Sequence, residues 1–281
     1  MLKRLMGYVV PRSDPVPAES RLLEDRGYAV LRGVFNPDEI DKLGAEIGAI
    51  YDANPPDLRG LRTAEQLEPY RYEMLNRSAL CQEAVGHPTI LEAIDPLLGE
   101  DCHVIANTAW CDAPNPEDGA RGGPWHIDAG PHVPRPEGIP WDDRIPYPVF
   151  AIGAHILLRD CPLSCGPTGV IPLSHRSGRV PPFEQLFDAL LSWEGEGVVA
   201  LEGLAGDVAL FASDAWHRRL PTSAADRGRF FLQVHYGRRD IAQRLRTTEQ
   251  VNQLSDSAIA RAAGERGRRL IGLHDPYFYD G

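Results

Sequence analysis

Apolar residues in the first hundred positions recur at helical spacing. Ile40, Leu43, Ile47 and Ile50 fall three or four apart and mark one buried helix face. Asn36 is suited to cap the start of that helix and Pro37 to its first position. A shorter helix is predicted over residues 18–26, and a second amphipathic helix over 87–98, stopped by Gly99. Residues 28–35 alternate in character and read as a strand.

The pattern changes after residue 100. Short β-rich runs cover 102–110, 150–159, 170–172, 198–202, 207–211 and 229–236, separated by Gly/Pro turns. Many short strands of this kind predict a sandwich or jelly roll. Helices at the N-terminus, and again within 240–269, would pack on one sheet. The organisation expected is a single domain over 1–281. It has a mostly helical flank at 18–100, a jelly-roll core at 102–237 and a helical segment at 238–281. The Gly/Pro-rich stretch 130–148 is too long for a turn and has the length of a lid or binding loop.

Composition narrows the picture only a little. The chain is 43% hydrophobic and 25% charged, ordinary for a globular protein. Its 40 acidic against 29 basic residues give a net charge of −11, which argues against nucleic-acid binding. No apolar run is long enough to span a bilayer, and the first ten residues read as an arm instead of an export signal. The five cysteines form no CxxC pair, which favours a reduced, cytoplasmic setting over a disulfide framework. Nothing separates monomer from homodimer.

The candidate chemistry lies in two segments, Trp125-His126-Ile127-Asp128 and Ala215-Trp216-His217. Positions i and i+2 of a strand point the same way, so His126 and Asp128 can grip one ion from one side. His217 would close the third corner. Two imidazoles and one carboxylate with open positions form the facial arrangement suited to non-haem iron. Alone, an HxD is commonly a solvated turn, and His217 beside two arginines is commonly a surface histidine. Arg229 opens the run Arg229-Phe230-Phe231-Leu232-Gln233-Val234-His235-Tyr236. A buried guanidinium needs an anionic partner and can hold a carboxylate through two parallel hydrogen bonds. Arg227 is the competitor; Arg229 is preferred because it begins the strand.

In order, the chain carries Trp125-His126-Ile127-Asp128, then Gly166-Pro167-Thr168-Gly169-Val170-Ile171-Pro172-Leu173-Ser174-His175, then Gly206-Asp207-Val208-Ala209-Leu210-Phe211 leading to His217, then Arg229 and Tyr236. This set resembles the phytanoyl-CoA dioxygenase family of Fe(II)/2-oxoglutarate-dependent oxygenases over about residues 28–236. The resemblance implies a mainly β fold with flanking helices, a double-stranded β-helix of the cupin-like, jelly-roll type. It implies Fe(II) on His126, Asp128 and His217, 2-oxoglutarate with its far carboxylate on Arg229, and dioxygen as co-substrate. It also implies Asn107 as an amide contacting the co-substrate, Thr168 as a lining group, His155 as either a lining group or a hydrogen-bonded core histidine, and Trp125 or Trp216 as either a wall of the site or core packing. Leu173 departs from the pattern, which places Gly there, and Cys165 stands where Asn is common. Asp128 is retained, unlike in related halogenases, so a hydroxylase or similar oxidase of a small molecule is expected. The alternatives on the same barrel are a metal-dependent hydrolase or isomerase, or a non-catalytic binding protein. Arg121, Arg135, Arg144, His132 and Trp141 near the loop suggest an anionic or partly aromatic substrate.

Overall fold

The computed structural model describes residues 16–275 apart from 59, 116–120, 129, 143 and 242–253. The N-terminal arm and much of the segment after 240 therefore lie outside the described residues. The chain begins with α1 (Ala18–Arg26), β1 (Tyr28–Leu31) and α2 (Pro37–Ala53). In α2 the Asn36 side chain accepts from Glu39 N at 3.1 Å, and the Glu39 carboxylate accepts from Asn36 N at 2.8 Å. This reciprocal cap satisfies donors that an uncapped helix leaves open. Ile40, Leu43, Ile47 and Ile50 are its buried face, as their spacing predicts. Strand β1 ends four residues earlier than expected, because Gly33 turns the chain at a φ of 58°.

Four short elements follow that the sequence pattern does not announce: α3 (Ala64–Leu67), β2 (Tyr70–Tyr72), α4 (Met74–Arg77) and α5 (Ala79–Val85). Then come α6 (Pro88–Leu98), β3 (His103–Asp112), β4 (Ala151–Leu157), β5 (Thr168–Val170), β6 (Val199–Ala200), β7 (Val208–Ala212), β8 (His217–Arg219) and β9 (Arg229–Gly237). Two short helices, α7 (Asp256–Arg261) and α8 (Gly264–Leu270), occupy the described part of the C-terminal segment.

The strands form a six-stranded antiparallel sheet in the order β1-β7-β4-β9-β3-β2 and a three-stranded one in the order β6-β5-β8. Alternation gives the large sheet two different faces. Ala29 and Leu31, Ala154 and Ile156, Val208 and Leu210, and Leu232 and Val234 point to the helices, where they meet Leu23, Ile47, Ile90 and Ile94 in the main core. The opposite face carries His155, Ala209, Phe211, Phe231, Gln233 and His235. There Ala209 and Phe211 pack on Val170 and Leu201 from the small sheet. This is the jelly-roll arrangement, with one apolar core on the helix side and a polar-lined interior between the sheets.

Candidate active site

His126 and His217 face each other across a two-residue bridge, each main-chain N–H bonded to the other's carbonyl, at 2.9 and 3.0 Å. The bridge extends the small sheet, because Val170 of β5 pairs His217 on its other side. Asp128 is fixed two residues on, where its N–H donates to Ser213 O at 3.1 Å. Each imidazole Nδ1 sits on a carbonyl, His126 on Pro124 O at 2.9 Å and His217 on Ala215 O at 2.8 Å. A proton held on Nδ1 leaves the Nε2 lone pair free as a ligand, the usual outer support of a metal-bound histidine. Both Nε2 atoms point to Asp128 Oδ1, from 4.0 Å for His126 and 3.5 Å for His217.

The ligand atoms of the three residues lie within 4.8 Å of one another, the one such cluster among the described residues. Asp128 Oδ2 is buried with no hydrogen-bond donor. Two imidazoles and a carboxylate with an unpartnered buried oxygen are a donor set that fits a divalent iron ion. Burial alone would raise the Asp128 carboxyl, but His217 and His235 outweigh it and hold the group below the usual carboxylate range. Burial lowers His126, with His217 adding to the effect. The site opens on one side: the His126 side chain is 49% exposed and that of His217 6%.

The segment after β5 supports this corner. Ser174 Oγ donates to Ile171 O and accepts from Trp216 N at 2.8 Å, which locks the residue before His217. Leu173 takes the left-handed φ of 65° that the expected Gly adopts most easily. His175 donates from Nε2 to Glu24 O, tying the turn to α1.

Arg229 is buried, at the start of β9 as expected, whereas Arg227 is exposed. Gly228 delivers it at a φ of 78°, with the Asp112 carbonyl so close that a Cβ would collide with it. The guanidinium is already engaged. Its Nε and Nη2 both donate to Asp112 Oδ2, at 2.9 and 2.7 Å, and Nη1 donates to Gly166 O. His155 and Thr168 share the interior: Thr168 Oγ1 is 3.2 Å from His155 Nδ1, and the His155 ring packs on Phe231 and Phe211. Burial, aided by Arg229, keeps His155 neutral.

Two expectations need correction. Asn107 stands opposite Val234 in the β3–β9 register, on the parity of Ala109, and so faces the helix-side core. Its amide donates to Gln233 O. A β-bulge between Val104 and Ala106 sets that parity. The amide on the interior face is Gln233, whose Nε2 meets His235 Nε2 at 2.8 Å. Trp125 is 1% exposed and packs with Ile171, Leu191 and Trp216, donating to Asp188 O. It and Trp216 buttress the ligand strands from behind instead of walling the pocket.

Residues the sequence reading passed over include Asp112, Arg219, His235 and Asp214. His235 Nδ1 lies 3.7 Å from Asp128 Oδ2. Asp214 anchors the 130–148 stretch, which forms no helix or strand among its described residues. It accepts from His132 N and faces His132 Nδ1 at 2.6 Å, and Tyr147 OH donates to it at 3.2 Å. Arg219 could have been found by counting two residues on from His217, the same arithmetic that links His126 to Asp128. All five cysteines are free. No helix among the described residues is long and apolar enough to cross a membrane.

The family model for phytanoyl-CoA dioxygenase (PhyH) matches residues 23–228. The chain belongs to the phytanoyl-CoA dioxygenase family. It is a non-haem iron, 2-oxoglutarate-dependent enzyme, with Fe(II), 2-oxoglutarate and dioxygen as its cofactor and co-substrates. The match stops one residue before Arg229. No curated protein matches the sequence. Among solved structures of the same fold is EctD from S. alaskensis with 2-oxoglutarate and 5-hydroxyectoine, at 21% identity and a TM-score of 0.63, covering 93% of this chain and 89% of that one. Another is the epimerase SnoN in complex with Fe3+, alpha ketoglutarate and nogalamycin RO, at 17% identity and 0.60, covering 80% and 84%. A third is HygX from Streptomyces hygroscopicus with nickel and 2-oxoglutarate, at 13% and 0.59, covering 82% and 89%.

Proposed function

We propose that this phytanoyl-CoA dioxygenase family member oxidises an unactivated C–H bond of a small molecule, with His126, Asp128 and His217 holding the iron. Arg229 receives the far carboxylate of 2-oxoglutarate, and Thr168 and His155 line its pocket. The observation that carries the reading is the pair of Nδ1-anchored imidazoles aimed at one carboxylate oxygen. Iron with 2-oxoglutarate and dioxygen supplies the oxidising power.

The chain's own residues do the positioning. Pro124 O and Ala215 O fix the tautomers, so neither imidazole needs to shed a proton to act as a ligand. Neutral His155 adds no charge beside the cationic Arg229. The Phe211 and Phe231 rings keep water from the interior face. Asp214 holds the 130–148 loop by His132 and Tyr147, which suits a cover over the bound substrate.

Of the cations near that loop, Arg144 closes on Asp142 and Arg121 lies over the Phe187 ring. Arg135 sits over Trp141, and its Nε and Nη1 meet no acceptor among the described residues. Arg135 and Trp141 therefore favour a substrate with an anionic group or an aromatic ring. The epimerase SnoN and the carbocyclase SnoK have the same fold, so C–H oxidation is supported here by the intact ligand set and not by the fold.

The test is anaerobic addition of Fe(II) and then 2-oxoglutarate to the purified protein. A weak visible charge-transfer band that is lost in His126→Ala and Asp128→Ala supports the reading. A folded, metal-loaded protein without the band overturns it.

A further inference from the structure

Arg219 follows His217 by two residues on β8 and so shares its interior face. It stands opposite Thr168 in the β5–β8 register. Its Nη1 is 3.7 Å from Asp112 Oδ2, the oxygen that both arms of Arg229 already use. Its Nε and Nη2 are buried and meet no acceptor among the described residues. Two guanidiniums thus share one carboxylate. The next acid, Asp226, has both oxygens on main-chain donors, Asn115 N at 2.9 Å and Gly228 N at 2.8 Å. Buried N–H donors without acceptors are costly, and a second carboxylate placed there would satisfy them.

We infer that Arg219 is a second guanidinium of the anion pocket, and that an incoming ligand carboxylate is held between Arg219 and Arg229 while Asp112 remains as the shared counter-charge. The ligand group is the far carboxylate of 2-oxoglutarate, so the inference rests on the co-substrate reading above. Asp112 then does more than neutralise. It holds both forks in place before the ligand arrives, so binding does not have to order two long side chains.

The experiment is anaerobic calorimetric titration of the iron-loaded protein with two keto acids. 2-Oxoglutarate has the far carboxylate; 2-oxobutyrate has the same keto-acid head and lacks it. Wild type is expected to prefer 2-oxoglutarate. Arg219→Gln should weaken 2-oxoglutarate at least about tenfold and leave 2-oxobutyrate unchanged, with partial recovery in Arg219→Lys. Arg229→Gln should show the same selective loss. Thermal unfolding of each variant establishes that it is folded. If Arg219→Gln binds 2-oxoglutarate as wild type does while Arg229→Gln does not, the role of Arg219 is overturned and the co-substrate reading stands. Equal weakening of both keto acids overturns it as well, because the effect then acts through the metal or the fold. A wild type that does not distinguish the two acids overturns both.

Discussion

His126 and His217 are joined through their main chains, N–H to carbonyl in both directions, and not only through a shared ion. The placement of these two proposed ligands is therefore built by the sheet itself. Replacing either imidazole with Ala removes a ligand and leaves the bridge intact. His217→Ala should abolish iron binding, read by metal content after desalting, with little change in unfolding temperature. A large loss of stability in the metal-free variant would show that the side chain, not the main chain, organises this corner.

Gly228 places Arg229 against Asp112. Its φ of 78° and the adjacent Asp112 carbonyl leave no room for a Cβ. Gly228→Ala should destabilise the protein by about 1–3 kcal/mol and weaken 2-oxoglutarate binding. Chemical denaturation and calorimetric titration measure the two effects. A variant as stable as wild type would mean that the turn readily adopts another conformation.

Tyr236 is fully buried in the main core, and its hydroxyl donates to Val85 O at 2.8 Å. It ties β9 to α5. Tyr236→Phe removes the donor and strands the carbonyl, so a loss of about 1–3 kcal/mol is expected by urea unfolding. The family motif places Tyr236 beside the site residues, but its contact is structural. The 2-oxoglutarate affinity should therefore be unaffected.

Burial pushes His175 down to about 4, with its Nε2 proton on Glu24 O. In the unfolded chain an ordinary histidine titrates near 6.5. Between those values the unfolded state binds the proton and the native state does not, so stability is complete above about pH 6.5 and falls as pH drops toward 4. His175→Gln should flatten this part of the stability curve relative to wild type, by up to about 3 kcal/mol at the acid end. Denaturation of both proteins at pH 7.5, 5.5 and 4.5 decides it; parallel curves would rule the histidine out.

Asp214 is the common acceptor for His132 and Tyr147. Asp214→Asn weakens both contacts. Limited proteolysis should then cut within 130–148 sooner than in wild type, while iron content is unchanged. Equal cleavage rates would show that the loop is held elsewhere.

Legibility in the sequence followed the length and regularity of each element. The α2 helix announces itself through four apolar residues on one face and the Asn36-Pro37 start, and α6 through its stop at Gly99. Strand β8 has three residues, two of them arginine, and carries no alternation to detect. The helices α3, α4 and α5 are too short for a 3.6-residue period to accumulate. At the site, the ligand set rested on spacing and was brought together as that spacing requires. Asn107 failed because the bulge before it fixes which face it takes, and a bulge has no signature in this stretch. For Trp125 the sequence left wall and core equally open, because a large aromatic beside a ligand suits either; the structure takes the core. The Asp112 partnership with Arg229 depends on a pairing of β3 with β9, which no local pattern records.

That sheet order sets a timetable. Strand β1, made near the start of the chain, lies at the sheet edge against β7, and β3 lies between β2 and β9. Strands β7, β8 and β9, which pair with β1, β3, β4 and β5, all lie in the last third of the described chain. During synthesis the N-terminal helices emerge with their main-core partners still unmade, and His126 and Asp128 precede His217 by a long interval. The proposed metal centre cannot be complete until His217 has emerged, and the proposed anion pocket waits further for Arg229. The proposed site thus stays incomplete while β3 to β7 are made, and it closes only when β8 and β9 join their partners.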